Sequence, residues 1–220
     1  MIKFQKISSL GKSIFLFYIS VYLHIQCYQI PLQMKSEDIT LREMESGDFS
    51  VEVNYYFSGF LFFPYSISFP ETADFELKNF KRVWNDKIIP VEKNSSQSHY
   101  QFSILGSSYH SLHESTLPRT FSLNSILTDR YEFTPPILEF SSKTEIPKGK
   151  YIEYILRTGS GWRGEIGKIE THIYFKNSNC STIKILPQSY YGICKDKFHW
   201  YAIQKNCKPN KNIRLVLPLQ

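Results

Sequence analysis

Alanine is almost missing from this 220-residue chain, occurring only at Ala73 and Ala202, whereas Phe, Tyr and Trp number 17, 15 and 3. A shortage of the best helix former, beside an abundance of residues that fit pleated half-buried surfaces, points away from helices and toward strands. The sequence also contains no G-x-S-x-G, no H-E-x-x-H and no C-x-x-C pair. It therefore lacks the nucleophile elbow of a serine hydrolase, the paired helical histidines of a zinc peptidase and the ligand spacing of a zinc ribbon. Acidic residues are absent from the first 26 positions, where Lys3, Lys6 and Lys12 supply the charge. The formal net charge of +6 falls to +3 without that stretch, 23 basic residues against 20 acidic ones. So small and so dispersed an excess argues against nucleic acid as a partner, because a nucleic-acid reader needs a concentrated basic patch.

A short apolar run from Ser13 to Cys27 comes after the three lysines. A basic head before an apolar core of this length is the layout of an export signal. The run is too short for a membrane span, which takes about 20 apolar residues. We expect residues 1–26 to be a signal segment, 27–36 a tether and 37–220 one folded domain, the length being too small for two ordinary ones. Leu23-His-Ile-Gln-Cys27 places an aliphatic residue four positions before a cysteine. It resembles the relaxed lipobox of spirochaete lipoproteins, with Gln26 where the stricter bacterial pattern has Gly, Ala or Ser. The resemblance implies that the Cys27 thiol receives lipid and that the membrane is a partner through this anchor. The alternatives are an ordinary cleaved signal and an uncleaved anchor.

Beyond the tether the hydrophobic period is two. From Phe49 to Phe57 every odd position is apolar and the even positions hold Ser50, Glu52, Asn54 and Tyr56, the pattern of a strand with one buried face. Phe63, Tyr65, Ile67 and Phe69 repeat it, and Ser58-Gly59 between the two runs suggests a hairpin. Pro64 and Pro70 cannot donate to a ladder, which places the second run at a sheet edge. Further strands are expected at 38–42, 75–84, 87–92, 100–105, 137–141, 151–157, 182–186 and 212–217. Lys168–Phe175 should turn Ile169, Thr171, Ile173 and Phe175 inward and His172 outward. The stretch from Gly106 to Arg130 is read as a long excursion with a weak helical pattern at Leu123, Ile126 and Leu127. Many short strands separated by Gly, Pro, Asn and Ser clusters make an all-β fold, a single antiparallel β-sandwich.

Candidate sites are few. An exported chain can keep a disulfide, and Cys194 and Cys207, which flank Phe198, His199 and Trp200, are the candidates, with Cys180 as a third cysteine; sequence alone does not set the pairing. No metal and no cofactor is expected. Gly161-Trp-Arg-Gly-Glu-Ile-Gly167 reads as a glycine-rich turn whose indole covers the core. The functional alternative is a binding surface of Trp162 and Arg163, extended by Trp200. His99, His110 and His113 are read as solvated loop residues.

Ser36–Leu41, Val51–Phe57, Phe69-Pro70, the Thr158–Gly167 turn and Trp200–Asn206 together resemble a group of uncharacterised exported bacterial β-sandwich proteins. The resemblance implies a cell-envelope address and a β-sandwich, and carries no activity with it. The expected function is a non-catalytic binding or structural module meeting an envelope protein or a glycan. The alternatives are a secreted carbohydrate-active or other hydrolytic enzyme, and a self-assembling envelope protein using the strand edge at Phe60–Phe63.

Overall fold

The computed structural model describes residues 33–61, 63–72, 76–95, 109–138, 148–154, 165–186, 192–207 and 213–218. Among the described residues fifteen strands carry the fold: β1 (Gln33–Glu43), β2 (Phe49–Ser58), β3 (Tyr65–Thr72), β4 (Lys78–Trp84), β5 (Lys87–Ile89), β6 (Glu92–Ser95), β7 (Tyr109–Leu117), β8 (Asn124–Phe133), β9 (Ile137–Leu138), β10 (Gly149–Tyr154), β11 (Ile166–Tyr174), β12 (Lys184–Leu186), β13 (Gly192–Asp196), β14 (His199–Cys207) and β15 (Ile213–Pro218). Among the described residues the helical element is a single 3-10 turn, Cys180–Thr182. The all-β expectation therefore holds. The strands form three sheets: eight strands in the order β13-β14-β11-β1-β2-β8-β4-β5, four in the order β12-β15-β10-β9, and three in the order β3-β7-β6. One pair, β1 with β11, runs parallel.

Alternation builds the large sheet. Phe49, Val51, Val53, Tyr55 and Phe57 of β2 are all buried, as are Ile169, Thr171 and Ile173 of β11. These inward side chains join Phe69 and Leu117 of the small sheet and Tyr151, Ile152, Leu215 and Val216 of the four-stranded one in a single apolar cluster. The β4–β5 hairpin closes over two residues, Asn85 and Asp86, both at positive φ (45° and 65°). That is the primed turn whose twist suits a right-handed strand pair, and Asn and Asp tolerate it best after glycine. Gly47 does the same between β1 and β2, at φ 83°.

Among the described residues, two of the buried charged pairs sit where the three-stranded sheet meets the eight-stranded one. Arg82 of β4 grips Asp129 of β8 through two hydrogen bonds, Nε to Oδ1 at 2.7 Å and Nη2 to Oδ2 at 2.8 Å, with both residues 1% exposed. The Arg82 Nη1 group donates to the carbonyls of Ile67 and His113, at 3.3 and 3.5 Å. One guanidinium thus fastens the three-stranded sheet to the eight-stranded one. Beside it, His113 Nε2 lies 2.5 Å from Glu71 Oε2, and Lys93 Nζ donates to Glu71 Oε1 at 2.9 Å. Burial pushes the Asp129 carboxyl above its usual range despite Arg82. At Glu71 burial acts in the same upward direction, but the hydrogen bonds from Lys93 and His113 outweigh it and hold the carboxyl below its ordinary value.

Several sequence expectations are corrected. The 106–130 stretch is no helical excursion: where it is described it is β7 and the start of β8. β2 and β3 form no hairpin, since β2 pairs with β1 and β8 while β3 pairs with β7 at the edge of another sheet. β1 begins at Gln33, inside the expected tether. His113 is a buried strand residue, not a solvated one. The disulfide joins Cys180 to Cys194, and Cys207 keeps a free thiol. The reason is register: Cys194 lies opposite Trp200 and Cys207 opposite Ile166, so seven residues of β14, roughly 23 Å of strand, separate the two expected partners. Cys180 instead is held against the turn between β13 and β14 by a hydrogen bond from its amide to the Lys197 carbonyl, at 2.8 Å.

Candidate functional site

The outward face of the eight-stranded sheet is where polar and aromatic side chains collect. Parallel pairing of β1 with β11 and antiparallel pairing of β11 with β14 set Arg42, Tyr174 and His199 in one cross-strand row. Thr40, His172 and Tyr201 form the next row, and Asp38, Glu170 and Ile203 the one after. Side chains directly opposite in a sheet lie close enough to touch, and diagonal neighbours lie within reach of rings.

The rows make a ladder of rings. Tyr174 and His199 stack at 4.4 Å between centroids, tilted by 15°. His172 lies 5.3 Å from His199 and 4.9 Å from Tyr201. A cation closes each end, with the Arg42 guanidinium 4.5 Å from the Tyr174 centroid and Lys195 Nζ 3.9 Å from that of Tyr201.

Polar atoms of these side chains are linked. His172 Nδ1 lies 3.0 Å from His199 Nε2, and His172 Nε2 lies 3.3 Å from Glu170 Oε1. Lys168 Nζ donates to Glu170 Oε2 at 2.7 Å and lies 3.6 Å from Asp38 Oδ1. The Lys168 hydrogen bond leads the influences that hold Glu170 below the ordinary carboxylate range, and Glu170 in turn raises Lys168. Partial burial, then the charges of His172 and Lys195, hold the His199 imidazole below its usual value. Among the described residues no group of three or more His, Cys, Asp or Glu is arranged to hold a metal ion.

Next to the ladder the same face has a hollow of about 280 Å³, lined among others by Thr40, Arg42, Ser50, Glu52, Lys81 and Arg130. Arg130 Nε donates to Glu52 Oε2 at 2.7 Å, and Glu132 at the rim accepts from Asn79 Nδ2 at 3.1 Å. Arg42 and Lys81 form no ion pair among the described residues, and the charged lining, Arg42, Lys81 and Arg130 against Glu52 and Glu132, sums to +1. Arg42 on β1 and Lys81 on β4 stand on opposite sides of it, three strand spacings apart, and a guanidinium suits carboxylate or phosphate oxygens.

The sequence-predicted surface is elsewhere. Trp200 is 1% exposed and turned inward, where its indole presses against Gly192. A Cβ added at Gly192 would stand 2.1 Å from the Trp200 ring, so only glycine admits that approach. Trp200 is thus a core residue, which corrects its place in a binding surface. Cys27, Trp162, Arg163 and His99 lie outside the described residues. The outward setting of His172 is as expected, but sequence reasoning misses its link to His199. The signal is nonetheless present: His172-Ile-Tyr174 and His199-Trp-Tyr201 are the same H-x-Y spacing on two strands, which puts all four rings on one face when those strands pair.

No protein-family model matches the chain, and no curated protein matches it in sequence. Solved structures do resemble it. A candidate nutrient-binding protein of Legionella pneumophila subsp. pneumophila matches with a TM-score of 0.57 at 15% identity, over 86% of this chain and 68% of that one. Leukotriene A4 hydrolase from Saccharomyces cerevisiae gives 0.49 at 10% identity, over 86% of this chain and 30% of the hydrolase. An M1 zinc metallopeptidase from Deinococcus radiodurans gives 0.40 at 12%, with 43% of that chain covered. At these identities the likeness to the Legionella protein is one of fold.

Proposed function

We propose that this chain is an exported, lipid-anchored binding module of the bacterial cell envelope, non-catalytic, that takes an anionic ligand on the outward face of its eight-stranded sheet. The observation that carries this reading is the hollow beside the ring ladder, where Arg42 and Lys81 stand outside any ion pair and the lining is net positive. The lining carries one more basic than acidic side chain, so a ligand bearing a carboxylate or phosphate group gains from that excess. The fold neighbour from Legionella, a candidate nutrient-binding protein, supports binding as the role. The leader, with its acid-free basic head, its short apolar core and Cys27, supports export and anchoring. The resemblance to exported bacterial β-sandwich proteins supports the same address.

Two measurements test the reading. Intact-mass analysis of the mature protein from its native host should find a diacylglyceryl-modified Cys27 at the N-terminus, and a free N-terminus at any other residue overturns the anchor. Thermal unfolding with inorganic phosphate, citrate or glucuronate should rise in midpoint with at least one of these probes, and the rise should vanish in an Arg42→Gln, Lys81→Gln double variant. No shift with any anion, or an equal shift in the double variant, overturns the ligand face.

A further inference from the structure

Large apolar side chains are exposed unevenly over this molecule. Phe63, Tyr65, Phe121 and Leu123 are 54%, 50%, 70% and 63% exposed, and Ile88 and Ile126 are exposed as well. Register gathers them at one end of the eight-stranded sheet. Gln33, the first residue of β1, lies opposite Ser58 of β2, and Ser58 lies opposite Asn124 of β8. The Leu123 carbonyl accepts from the Gly59 amide and Leu61 bridges to Thr120, which brings residues 58–61 and 120–124 together beside that row. Phe63 follows two residues after Leu61, and Tyr65 lies opposite Leu117. Ile126 is two residues in from Asn124, and its carbonyl accepts from Asn85 in the turn that leads to Ile88. We propose that this end is a membrane-contact surface, seated in the headgroup layer of a phospholipid bilayer. This placement rests on the Cys27 anchor proposed above.

Chain length decides which end meets the bilayer. Six residue steps separate Cys27 from Gln33, a reach of at most about 22 Å at full extension. With Cys27 held in lipid, the end of the sheet that begins at Gln33 is therefore the end kept against it. An apolar surface at such an interface sinks about 5–10 Å toward the acyl chains and gains by leaving water. Charge agrees with that setting. Residues 58–65 have no charged side chain, and residues 117–127 have one, Arg119. A base suits lipid phosphates, and its stem can lie along apolar surface while the head stays wet. The other exposed charges near this end are balanced, Lys35 and Lys87 against Asp86 and Glu165.

The opposite end has the reverse character. Lys176 pairs with Glu45 there, Lys78 lies 3.8 Å from Asp48, and Glu132 accepts from Asn79. Such groups lose by leaving water, so that end faces solvent. Thr40 and Arg42, which line the hollow, stand seven and nine residues along β1 from Gln33, roughly 23–30 Å at the rise of a strand. Seating the apolar end in lipid thus leaves the hollow and the ring ladder clear of the headgroups and open to a dissolved ligand.

Tryptophan reporters and lipid brominated on its acyl chains test the contact. The full chain, leader included, is reconstituted into phosphatidylcholine vesicles with and without bromine, and emission is read as the excess over the parent protein. The added emission of Leu123→Trp should fall by about half or more in brominated vesicles, whereas that of Phe198→Trp, at the far end beside His199, should be unchanged. Phe63→Trp is a second reporter of the apolar end and should follow Leu123→Trp. Unfolding midpoints within a few degrees of the parent protein establish that the reporters are folded. The apolar leader brings the chain to the vesicle with or without acylation, so mass analysis of Cys27 judges the anchor and quenching judges this surface. No quenching in Leu123→Trp and Phe63→Trp, or equal quenching in Phe198→Trp, overturns the contact. A sedimentation mass of two chains, found together with that absence of quenching, would give this end to a second copy instead.

Discussion

Two histidines on this molecule make opposite use of a ring nitrogen. His113 is 5% exposed, faces the Glu71 carboxylate at 2.5 Å and lies under the Arg82–Asp129 pair, so every charge around it is matched. His172 stands on the outward face of the large sheet, bonded to a second histidine, in a ladder of rings whose two tyrosines carry cations outside any ion pair among the described residues. The inner set has the economy of groups that must be satisfied because water cannot reach them. The outer set keeps unsatisfied capacity, which a sheet face can hold only where solvent or a ligand completes it. Matched charge buried between the sheets marks architecture here, whereas the outward face carries paired charges beside the unpaired Arg42 and Lys195.

The sharpest way to break that contrast is to strike the inner set. Arg82→Met leaves the Asp129 carboxylate buried without its partner and frees the carbonyls of Ile67 and His113, and should cost about 3–5 kcal/mol in urea unfolding. Adding Asp129→Leu should recover much of the loss, because two apolar residues replace a matched pair at little cost. A loss below about 1 kcal/mol for the single variant would mean that the pair is reached by water and that the inner set is not architectural.

A smaller effect separates the two carboxylates by pH. Glu71 is held below its unfolded value, so its contribution to stability is full above about pH 4.5 and is lost as pH falls through the folded value. Asp129 is raised, so it contributes most below its unfolded value, and that contribution fades as pH rises through the folded one. Glu71→Gln should therefore destabilise the protein at neutral pH by about 1–3 kcal/mol and by progressively less below pH 4.5. Urea midpoints from pH 3 to 7 read the difference. A gap between parent and variant that is constant across this range would show that the Glu71 charge plays no part.

Much of the fold can be read directly from residues whose periodicity and environment agree. The odd positions of β2 and the inward set of β11 are buried as alternation predicts, and Pro70 stands in an edge strand. β8 escaped because its inward side carries Ser125 and Asp129 among Leu127, Tyr131 and Phe133, and the residue that makes Asp129 tolerable there, Arg82, is 47 positions away. Polar burial matched by a distant partner leaves no local trace. The same non-locality hid the neighbours of β2 and the parallel pairing of β1 with β11, and therefore hid the site, whose row from Arg42 to His199 exists only once those registers are set. The glycine-rich turn drew attention by composition. The H-x-Y repeats did not, since their meaning lies in being paired.

The outer set should be the least sensitive to substitution. Tyr174→Ala removes a ring that touches Arg42 on one side and His199 on the other, each contact worth about 0.5–1 kcal/mol at an exposed position. The variant should unfold within about 1–2 kcal/mol of the parent protein, with an unchanged acid limb, since no carboxylate loses a partner. Function should respond out of proportion. Arg42 loses the ring that holds it beside the hollow, so the rise in unfolding midpoint with phosphate, citrate or glucuronate should shrink even though the guanidinium is still present. A stability loss as large as that of Arg82→Met would place the ladder among the structural elements and remove the distinction between the two faces. A full anion response in Tyr174→Ala would show instead that Arg42 reaches the hollow unaided, and that the rings serve the histidine pair alone.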